Sequence, residues 1–324
     1  MKISIIVPCF NCEDFVGRAI ESVIRQSFTD WELLLIDNNS IDKTLAVIRS
    51  YQRLHPDKIK VYQERKKGAP AARNKGLREA TGEWIQFLDA DDEILPEKLL
   101  AQVKIIDAQM ADLVFGSYIQ VKELPKTSLS VYNKLRFKLL NRNMTPQDGT
   151  LQQVKFPNHN DLWYGLISTE LGITSANLWR KKTLTDAGGW NENLTSSQEY
   201  DLIFRLLKNG CTVAYDLIPN TKIHQIENSI SRGADKDKIA RIMGNWLTLR
   251  CKVKEYLIEA NEYNESRRKY LDLIIYKVLM DHKSKIPKEV DAWFNKVNIK
   301  VDFTQRFKMN VKFLAKRLEG FIKK

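Results

Sequence analysis

Three carboxylates lie almost side by side at the end of an apolar run, in the stretch FLDADD at residues 87–92. Like charges this close repel one another unless a cation or hydrogen-bond donors compensate them. Mg²⁺ takes oxygen ligands, commonly one or two carboxylates together with the phosphates of a substrate. The stretch therefore predicts a metal-assisted phosphate site, although an acidic turn in which Asp92 caps the next helix fits the same residues.

A further carboxylate, Asp37, ends another apolar run and is followed by amide and hydroxyl side chains. Ligands of open α/β sheets bind at the carboxyl ends of the strands, so we expect Asp37 to contact a ligand. Ser40 and Asp42 are of the residue types that cap a following helix.

A basic turn with Arg65, Lys66 and Lys67 leads through Gly68 into a predicted helix that carries Arg73. The N-terminus of a helix attracts phosphate, and nearby cations add to that attraction. We expect Arg73 to face a ligand, whereas Lys66 and Lys67 could also be solvated charges.

Two acidic residues, Glu199 and Asp201, stand in the first turn of a later predicted helix. They could supply a general base, or they could simply pair with the helix dipole. His224 follows a predicted strand, where a single histidine is more often structural than a ligand. The chain has neither G-x-G-x-x-G after its first strand nor G-x-x-x-x-G-K-[ST], which argues against a dinucleotide dehydrogenase and a P-loop NTPase.

The cysteines include one C-x-x-C pair, Cys9 and Cys12, which could form a redox dithiol or half of a zinc site. The chain has no second C-x-x-C and no cysteine and histidine group with zinc-finger spacing. Free, buried thiols are therefore the expected state of this pair.

These residues must be positioned by strands and helices that alternate over residues 3–121, a pattern that indicates an α/β fold with a mainly parallel central sheet. The predicted strands are Ile3–Pro8, Trp31–Asp37, Ile59–Glu64, Trp84–Asp89 and Asp112–Val121. The predicted helices between them are Glu13–Gln26, Asp42–Leu54, Ala69–Ala80 and Pro96–Gln109. Residues 122–165 look like a loop or helical excursion, followed by the strand Thr174–Lys182, the helix Ser197–Leu207 and the strand Cys211–Leu217.

Positive charge is concentrated in residues 233–324, which hold 22 Lys and Arg residues and 12 Asp and Glu residues. This segment therefore contributes +10 to the net charge of +12 of the whole chain. Such a tail fits an anionic membrane surface, nucleic acid or an acidic substrate. Its last predicted helix has an apolar stripe from Phe303 to Ile322, which could lie on a membrane or pack on the protein or on a second subunit. No apolar run approaches the length of a membrane span, and we expect an intracellular protein.

Taken together, these stretches resemble the family 2 glycosyltransferases, inverting enzymes of the GT-A fold that use nucleotide-sugar donors. The order matches over about residues 3–232, and the matching motifs are V-P-x-[YF]-N (Val7–Asn11), D-N-x-S-x-D (Asp37–Asp42), G-x-x-x-A-R-N-x-G (Gly68–Gly76), G-E-[WY]-I-x-F-L-D-A-D-D (Gly82–Asp92), G-G-[FW] (Gly188–Trp190) and Q-E-Y-D-L-x-x-R (Gln198–Arg205). The resemblance implies a catalytic domain at 1–232, with a nucleotide-sugar half at 1–95 and an acceptor half at 96–232, and a basic helical extension at 233–324.

The resemblance also implies roles for single residues. Glu199 would be the general base, with Asp201 as the alternative. Asp91, Asp89 and His224 would bind Mn²⁺ or Mg²⁺, and Gly189 and Trp190 would face the acceptor. The donor, a UDP-sugar or another nucleoside-diphosphate sugar, would be bound by Pro8, Phe10, Asn11, Asp37, Arg65, Lys67, Arg73, Asp89 and Ala90.

The expected product is a glycan or a lipid-linked glycan of a surface polysaccharide, made in the cytoplasm or at the inner face of the membrane. The basic residues Lys134, Arg136, Lys138 and Arg142 could help to bind an anionic acceptor, and a homodimer is possible. The chain departs from the family pattern at Gln198, where a second acidic residue is usual, and at Phe10, where tyrosine is frequent. Two alternatives remain: a nucleotidyltransferase, and a non-catalytic protein that binds nucleotide sugars or nucleic acid. The main interpretation, a glycosyltransferase, implies no nucleic-acid partner.

Overall fold

The structure, a computed structural model, describes residues 1–123, 145–147, 150–225 and 235–302. The strands in these residues are β1 (Ile3–Cys9), β2 (Trp31–Asp37), β3 (Ile59–Gln63), β4 (Trp84–Phe87), β5 (Glu93–Ile94), β6 (Leu113–Gly116), β7 (Tyr118–Glu123), β8 (Thr145–Gln147), β9 (Thr150–Lys155), β10 (Leu178–Arg180), β11 (Val213–Asp216) and β12 (Thr221–His224). The helices are α1 (Val16–Ile24), α2 (Thr44–Leu54), α3 (Ala69–Glu79), α4 (Lys98–Gln109), α5 (Leu162–Ser168), α6 (Lys181–Asp186), α7 (Gln198–Lys208), α8 (Lys236–Glu259), α9 (Glu265–His282) and α10 (Pro287–Lys296).

A seven-stranded sheet in the order β11-β6-β10-β4-β1-β2-β3 forms the centre of the fold. Every neighbouring pair is parallel except the two that involve β10, which runs antiparallel to β4 and to β6. All seven residues of β2 are buried, as expected of a strand that is covered on both faces. The predicted α/β class and the mainly parallel sheet are confirmed.

A second, five-stranded sheet in the order β5-β12-β7-β9-β8 was not predicted. The single strand predicted at Asp112–Val121 is wrong, because the chain leaves the first sheet at Ser117 and continues as β7 in the second. The prediction of a loop or helical excursion at 122–165 is also wrong where β9 lies. The largely polar sequence of β9, TLQQVK, hides it from a search for apolar runs.

The strand predicted at Thr174–Lys182 is shorter in the structure, where only β10 is extended. Before β10 the chain turns, with the backbone N–H groups of Ala176 and Asn177 both donating to the carbonyl oxygen of Ile173. After β10, α6 begins directly at Lys181. Polar side chains in this segment therefore serve a turn and not a strand.

Hydrophobic side chains cover both faces of the central sheet. Ile5 and Val7 of β1 face a core that includes α1 and α4, whereas Ile6 faces a core that includes α5 and α7. The second core extends into the C-terminal helices through Leu247, Ile275 and other buried residues. Helices α8 to α10 thus share a core with α5 and α7 of the first 232 residues.

The last predicted helix, from Phe303 to Ile322, and the basic residues Lys134, Arg136, Lys138 and Arg142 lie outside the described residues. Within the described ranges, the helices are all too short or too polar to cross a bilayer.

Candidate active site

The carboxyl ends of β1 and β2 lie side by side, because Cys9 pairs with Asp37 in the parallel register. The Asp37 side chain is 3% exposed, and its Oδ1 atom has no hydrogen-bond partner among the described residues. A buried carboxylate oxygen without a partner is costly unless a ligand supplies a donor. This supports the predicted ligand contact of Asp37.

The turn after β1 carries the other predicted nucleoside contacts. Asn11 has a φ of 47°, which asparagine tolerates better than most residues. Its backbone N–H donates to Ser40 Oγ at 3.2 Å, and its Oδ1 accepts from the N–H of Ile41 at 2.9 Å. Phe10 is 45% exposed beside it, and Pro8 is half-buried within β1. The turn is therefore fixed by the loop after β2, while the Phe10 ring stays open to a ligand.

Asn38 shapes the basic turn that enters α3. Its amide nitrogen donates to the carbonyl oxygens of Glu64 and Lys66, each at 2.8 Å, and its Oδ1 accepts from the N–H of Gly68 at 2.7 Å. Gly68 has a φ of 120°, a conformation that favours glycine. The side chains of Arg65 and Lys67 in this turn are exposed, and their contact with a diphosphate stays a prediction.

Arg73 of α3 links the end of β4 to the start of α7. Its Nη2 lies 2.6 Å from Asp89 Oδ1, and its Nη1 lies 3.5 Å from Gln198 Oε1. The guanidinium group stacks over the ring of Trp190, with its carbon 4.5 Å from the ring centroid. Arg73 is only 7% exposed, so water screens the attraction between its charge and that of Asp89 only weakly.

The carboxylates after Asp89 are crowded. Burial, followed by the charge of Asp89, raises the pKa of Asp91. Asp92 is buried and accepts hydrogen bonds from Ser175 Oγ at 2.6 Å and from the N–H of His224 at 3.2 Å. Asp92 therefore does not cap a helix, and the alternative interpretation of this stretch as a capping turn is wrong.

A divalent cation would offset the repulsion between the carboxylates of Asp89 and Asp91. Among the described residues no group of three or more His, Cys, Asp or Glu side chains is close enough to enclose a metal alone. Two carboxylates suffice when the phosphates of a substrate supply the other ligands. The predicted ligand His224 has its Nε2 on Glu93 Oε1 at 3.0 Å, so its metal role stays a prediction.

Glu199, the predicted general base, lies in the first turn of α7. Its Oε1 accepts a hydrogen bond from Asn177 Nδ2 at 3.2 Å. Burial raises the pKa of the Glu199 carboxyl to about 8, although the nearby Arg73 charge and hydrogen bonds from Thr174 act to lower it. A carboxyl group with this pKa is suited to take up a proton near neutral pH.

Asp201, the predicted alternative base, is engaged elsewhere. Its Oδ2 lies 3.0 Å from Arg205 Nε and 2.9 Å from Arg205 Nη2, a contact with two nitrogens of one guanidinium group. The Asp201 side chain is buried at 6% exposure. The structure thus gives Asp201 an ion pair within α7 and leaves Glu199 as the candidate base.

The predicted acceptor residues Gly189 and Trp190 lie against α3. The Trp190 ring is 2% exposed and packs edge-on against Phe87, so its described contacts are those of a core residue. Beside it opens a cavity of about 450 Å³. The residues that line this cavity are Asn74, Gly188, Gly189, Trp190, Asn191, Glu192 and Arg205. Acceptor contact by Gly189 and Trp190 stays a prediction.

The cysteines are free thiols. Cys9 and Cys12 are buried, and the Cys12 N–H donates to Thr44 Oγ1 at 2.8 Å. Neither sulfur lies in a group that could hold a metal within the described residues. The pair therefore packs beside the turn that carries Phe10 and Asn11, as expected from the sequence.

Several residues that build the site were not predicted. Asn38 and Asn74 lie inside motifs that the sequence analysis quoted, so their motif positions were a usable signal. Ser175 and Asn177 had no such signal beyond being polar residues in a segment that is buried. Glu192, which accepts from Asn74 and pairs with Lys66 at 2.7 Å, also had none.

Comparison with known proteins bears on the family and on the fold. The family model described as "Glycosyl transferase family 2" matches residues 4–164. The GalNAc(5)-diNAcBac-PP-undecaprenol beta-1,3-glucosyltransferase of Campylobacter jejuni is 38% identical over 124 residues, which cover 38% of this chain and 40% of that protein. The chain spans less than half the length of this and other curated relatives that it matches.

Two solved structures share the fold. One is S. aureus TarS 1-349 in complex with UDP-GlcNAc, with a TM-score of 0.57 and 19% identity, over 94% of this chain and 78% of that chain. The other is the mannosyltransferase PcManGT from Pyrobaculum calidifontis in complex with GDP-Man and Mn²⁺, with a TM-score of 0.53 and 15% identity, over 91% of this chain and 79% of that chain. These likenesses confirm the predicted GT-A type of fold. Through residues 4–164, the chain belongs to glycosyl transferase family 2.

Proposed function

We propose that this protein is an inverting glycosyltransferase that moves a sugar from a nucleoside-diphosphate sugar to a hydroxyl group of a glycan or lipid-linked acceptor. The observation that carries the proposal is the position of Arg73, which joins the strand-end carboxylate Asp89 to the helix that presents Glu199. This arrangement supports a site for a charged phosphate group next to Glu199, the half-buried candidate base.

In the reaction, Glu199 takes the proton of the acceptor hydroxyl as the acceptor oxygen attacks the anomeric carbon. The bond from the anomeric carbon to the diphosphate oxygen breaks on the opposite face, and the bonding electrons leave with the nucleoside diphosphate. A single displacement of this kind inverts the anomeric carbon and needs no covalent intermediate with the protein.

Charge on the leaving diphosphate must be balanced. Asp89 and Asp91 would hold Mn²⁺ or Mg²⁺, which supplies a positive charge that stabilises the departing diphosphate. Arg73 fixes Asp89, while the exposed Arg65 and Lys67 add positive charge at the mouth of the α3 turn. On the nucleoside side, Asp37 offers a buried acceptor to a hydroxyl or base N–H of the donor.

The relatives support the choice of substrates. A relative named for glucosyl transfer onto an undecaprenol-linked glycan is 38% identical over part of this chain, and a structure of the same fold holds UDP-GlcNAc. We therefore propose a UDP-sugar as donor and a lipid-linked glycan as acceptor, at the inner face of the membrane. A structure of the same fold contains Mn²⁺ beside its nucleotide sugar, which supports the proposed metal.

The test is a panel of UDP-, GDP- and dTDP-sugars offered to the protein with Mn²⁺, scored by calorimetric binding and by slow donor hydrolysis. We expect one donor to bind and to be hydrolysed slowly, with product of inverted configuration when acceptor is present. Glu199→Gln should keep donor binding and lose transfer. Failure of every nucleotide sugar to bind would overturn the proposal.

A further inference from the structure

Residues 174–177, the polar segment just before β10, lie buried between the carboxylates and the candidate base. Thr174 is 5% exposed, and Ser175, Ala176 and Asn177 are not exposed at all. Their polar groups must therefore find partners inside the protein. The partners they find are parts of the proposed catalytic site.

Ser175 holds the carboxylate end of this site. Its Oγ accepts from the N–H of Asp89 at 3.1 Å and donates to Asp92 Oδ2 at 2.6 Å. A hydroxyl group can accept one hydrogen bond while it donates another, so Ser175 fixes both ends of the turn that carries Asp91.

Asn177 holds the candidate base. Its Oδ1 accepts from the N–H of Gly116 at 3.1 Å, and its Nδ2 donates to Glu199 Oε1 at 3.2 Å. A backbone N–H can only donate, so the amide oxygen must face Gly116 and the NH₂ group must face Glu199. The amide therefore offers Glu199 a donor, which favours the unprotonated state of the oxygen that it contacts.

The segment rests on a buried polar floor. Gln86 Nε2 donates to the carbonyl oxygen of Ser175 and Gln102 Nε2 to that of Ala176, each at 3.0 Å. Lys98 Nζ, which is fully buried, donates to the side-chain oxygens of both glutamines. Every link in this floor is a hydrogen bond between buried groups, so the segment has little freedom to move.

Two glycines make room for the Asn177 amide and its neighbour. A Cβ atom at Gly172 would lie 2.5 Å from Asn177 Oδ1, and one at Gly116 would clash with the carbonyl oxygen of Ala176. Gly172 also has a φ of 88°. The backbone around Asn177 is thus built to admit this side chain in this orientation.

We propose that Asn177 is a positioning residue for the transfer reaction, holding Glu199 in place relative to the carboxylates that Ser175 fixes. The inference rests on the proposed function, because it assigns to Asn177 a role that acts through the base. It predicts that loss of the Asn177 NH₂ group slows the proton-transfer step and leaves the binding of the nucleotide sugar unchanged.

Asn177→Asp tests the hydrogen bond from the amide NH₂ group directly. Aspartate keeps an oxygen that can accept from the N–H of Gly116, but it presents a second oxygen to Glu199 in place of the NH₂ group. We expect kcat to fall about tenfold to a hundredfold, as small displacements of a catalytic group do, with the Kd of nucleoside diphosphate and Mn²⁺ within about threefold of wild type. Asn177→Ala, which introduces no charge, should show the same split. Asn264→Asp is the control for the same chemical change, because the Asn264 side chain at the start of α9 accepts a hydrogen bond from the N–H of Arg267 at 2.9 Å and has no described contact with Glu199.

A double-mutant cycle separates a positioning role from a structural one. If Asn177 acts through Glu199, Asn177→Asp should cause no further loss of transfer when Glu199 is already glutamine. Losses that multiply in the double variant, or Asn177→Asp transferring within twofold of wild type, would overturn the inference.

A readout that does not depend on activity keeps the inference separate from the proposed function. In crystal structures of wild type and of both Asn177 variants, we expect the Glu199 carboxyl group to shift while Ser175 keeps its bonds to Asp89 and Asp92. An unmoved Glu199 in the variants contradicts the positioning role even if the wild type transfers sugar. A wild type that binds no donor contradicts the proposed function, and the crystallographic result still decides the role of Asn177.

Discussion

Arg73 and Asp89 are joined by an ion pair of 2.6 Å although they belong to different elements, one in α3 and one just after β4. The same guanidinium group also reaches Gln198 and stacks on Trp190. One planar cation thus sets the position of a candidate metal ligand relative to the helix of the candidate base.

Replacing this cation tests its geometry. Lysine at position 73 keeps the charge but loses the planar fork and the stacking surface, so we expect Arg73→Lys to lower kcat/KM by about tenfold to a hundredfold. The measurement is steady-state transfer with varied donor. Arg78→Lys, in the exposed part of the same helix, should change it by less than about twofold, and an Arg73→Lys enzyme equal to this control contradicts the assigned role.

Removing a metal ligand should change the response to metal. Asp91→Asn takes away a charge that would hold the cation, and we expect the affinity for nucleoside diphosphate in the presence of Mn²⁺ to fall at least about tenfold. Calorimetric titration with and without the metal checks this. Asp186→Asn, at an exposed surface pair, serves as the control. A variant with the metal dependence of wild type would remove Asp91 from the metal site.

The pKa of Glu199, raised by burial to about 8, predicts the pH dependence of transfer. Only the ionised carboxylate can accept a proton, so kcat/KM for the acceptor should rise about tenfold per pH unit below pH 8 and level off above it. The Kd of the donor, measured at each pH, separates this effect from donor binding. A rate that stays constant between pH 6 and pH 8.5 argues against Glu199 as the base.

The same raised pKa predicts an effect on stability of a definite sign. Between the ordinary glutamate value of 4.5 and about 8, the folded protein keeps a proton on Glu199 that the unfolded chain releases. Stability from this group is therefore present at low pH and is lost as the pH rises towards 8. The Glu199→Gln variant has no such proton to lose. As the pH rises across this range, the melting temperature of the variant minus that of wild type should therefore increase by several degrees, at about 2–4 °C per kcal/mol. The exposed Glu259→Gln should show no such trend.

Two adjacent glycines offer a matched pair for the turn beside α3. Gly188 and Gly189 have φ values of 78° and 66°, but only a Cβ atom at Gly189 meets a neighbour, 2.7 Å from Asn74 Oδ1. We expect Gly188→Ala to cost about 1–2 kcal/mol of unfolding free energy from backbone strain alone. Gly189→Ala should cost about 2–4 kcal/mol, because it also disrupts two hydrogen bonds: Asn74 Nδ2 donates to the carbonyl oxygen of Trp190, and the N–H of Trp190 donates to Asn74 Oδ1. Denaturant unfolding measures both, and equal costs contradict the contact.

The sequence predicted those residues of the site that lie at the end of a strand or at the beginning of a helix. Asp37 and Asp89 follow apolar strands, and Glu199 begins an amphipathic helix, so hydrophobic periodicity marks where each of them lies. The same periodicity accounts for the alternating order and the mainly parallel sheet.

The parts that escaped prediction depend on partners far apart in the chain. Ser175 meets Asp92 across 83 residues and Asn177 meets Gly116 across 61, and no local pattern shows which distant group will meet a buried hydroxyl or amide. The polar strand β9 escaped for another reason, since pairing in the second sheet, and not an apolar run, makes it a strand.

The position of β10 between β4 and β6 has a consequence for the order in which the molecule can be completed during synthesis. Both sheet neighbours of β6 are β10 and β11, which leave the ribosome after it, and β4 must also wait for β10 to fill its open edge. In a nascent chain that ends before β10, both edges of β6 and one edge of β4 therefore carry unpaired backbone groups, a state prone to mispairing. Because residues 174–177 directly precede β10, the insertion of this one short strand joins β4 to β6 and, in the same event, brings Ser175 to Asp89 and Asp92 and Asn177 to Gly116.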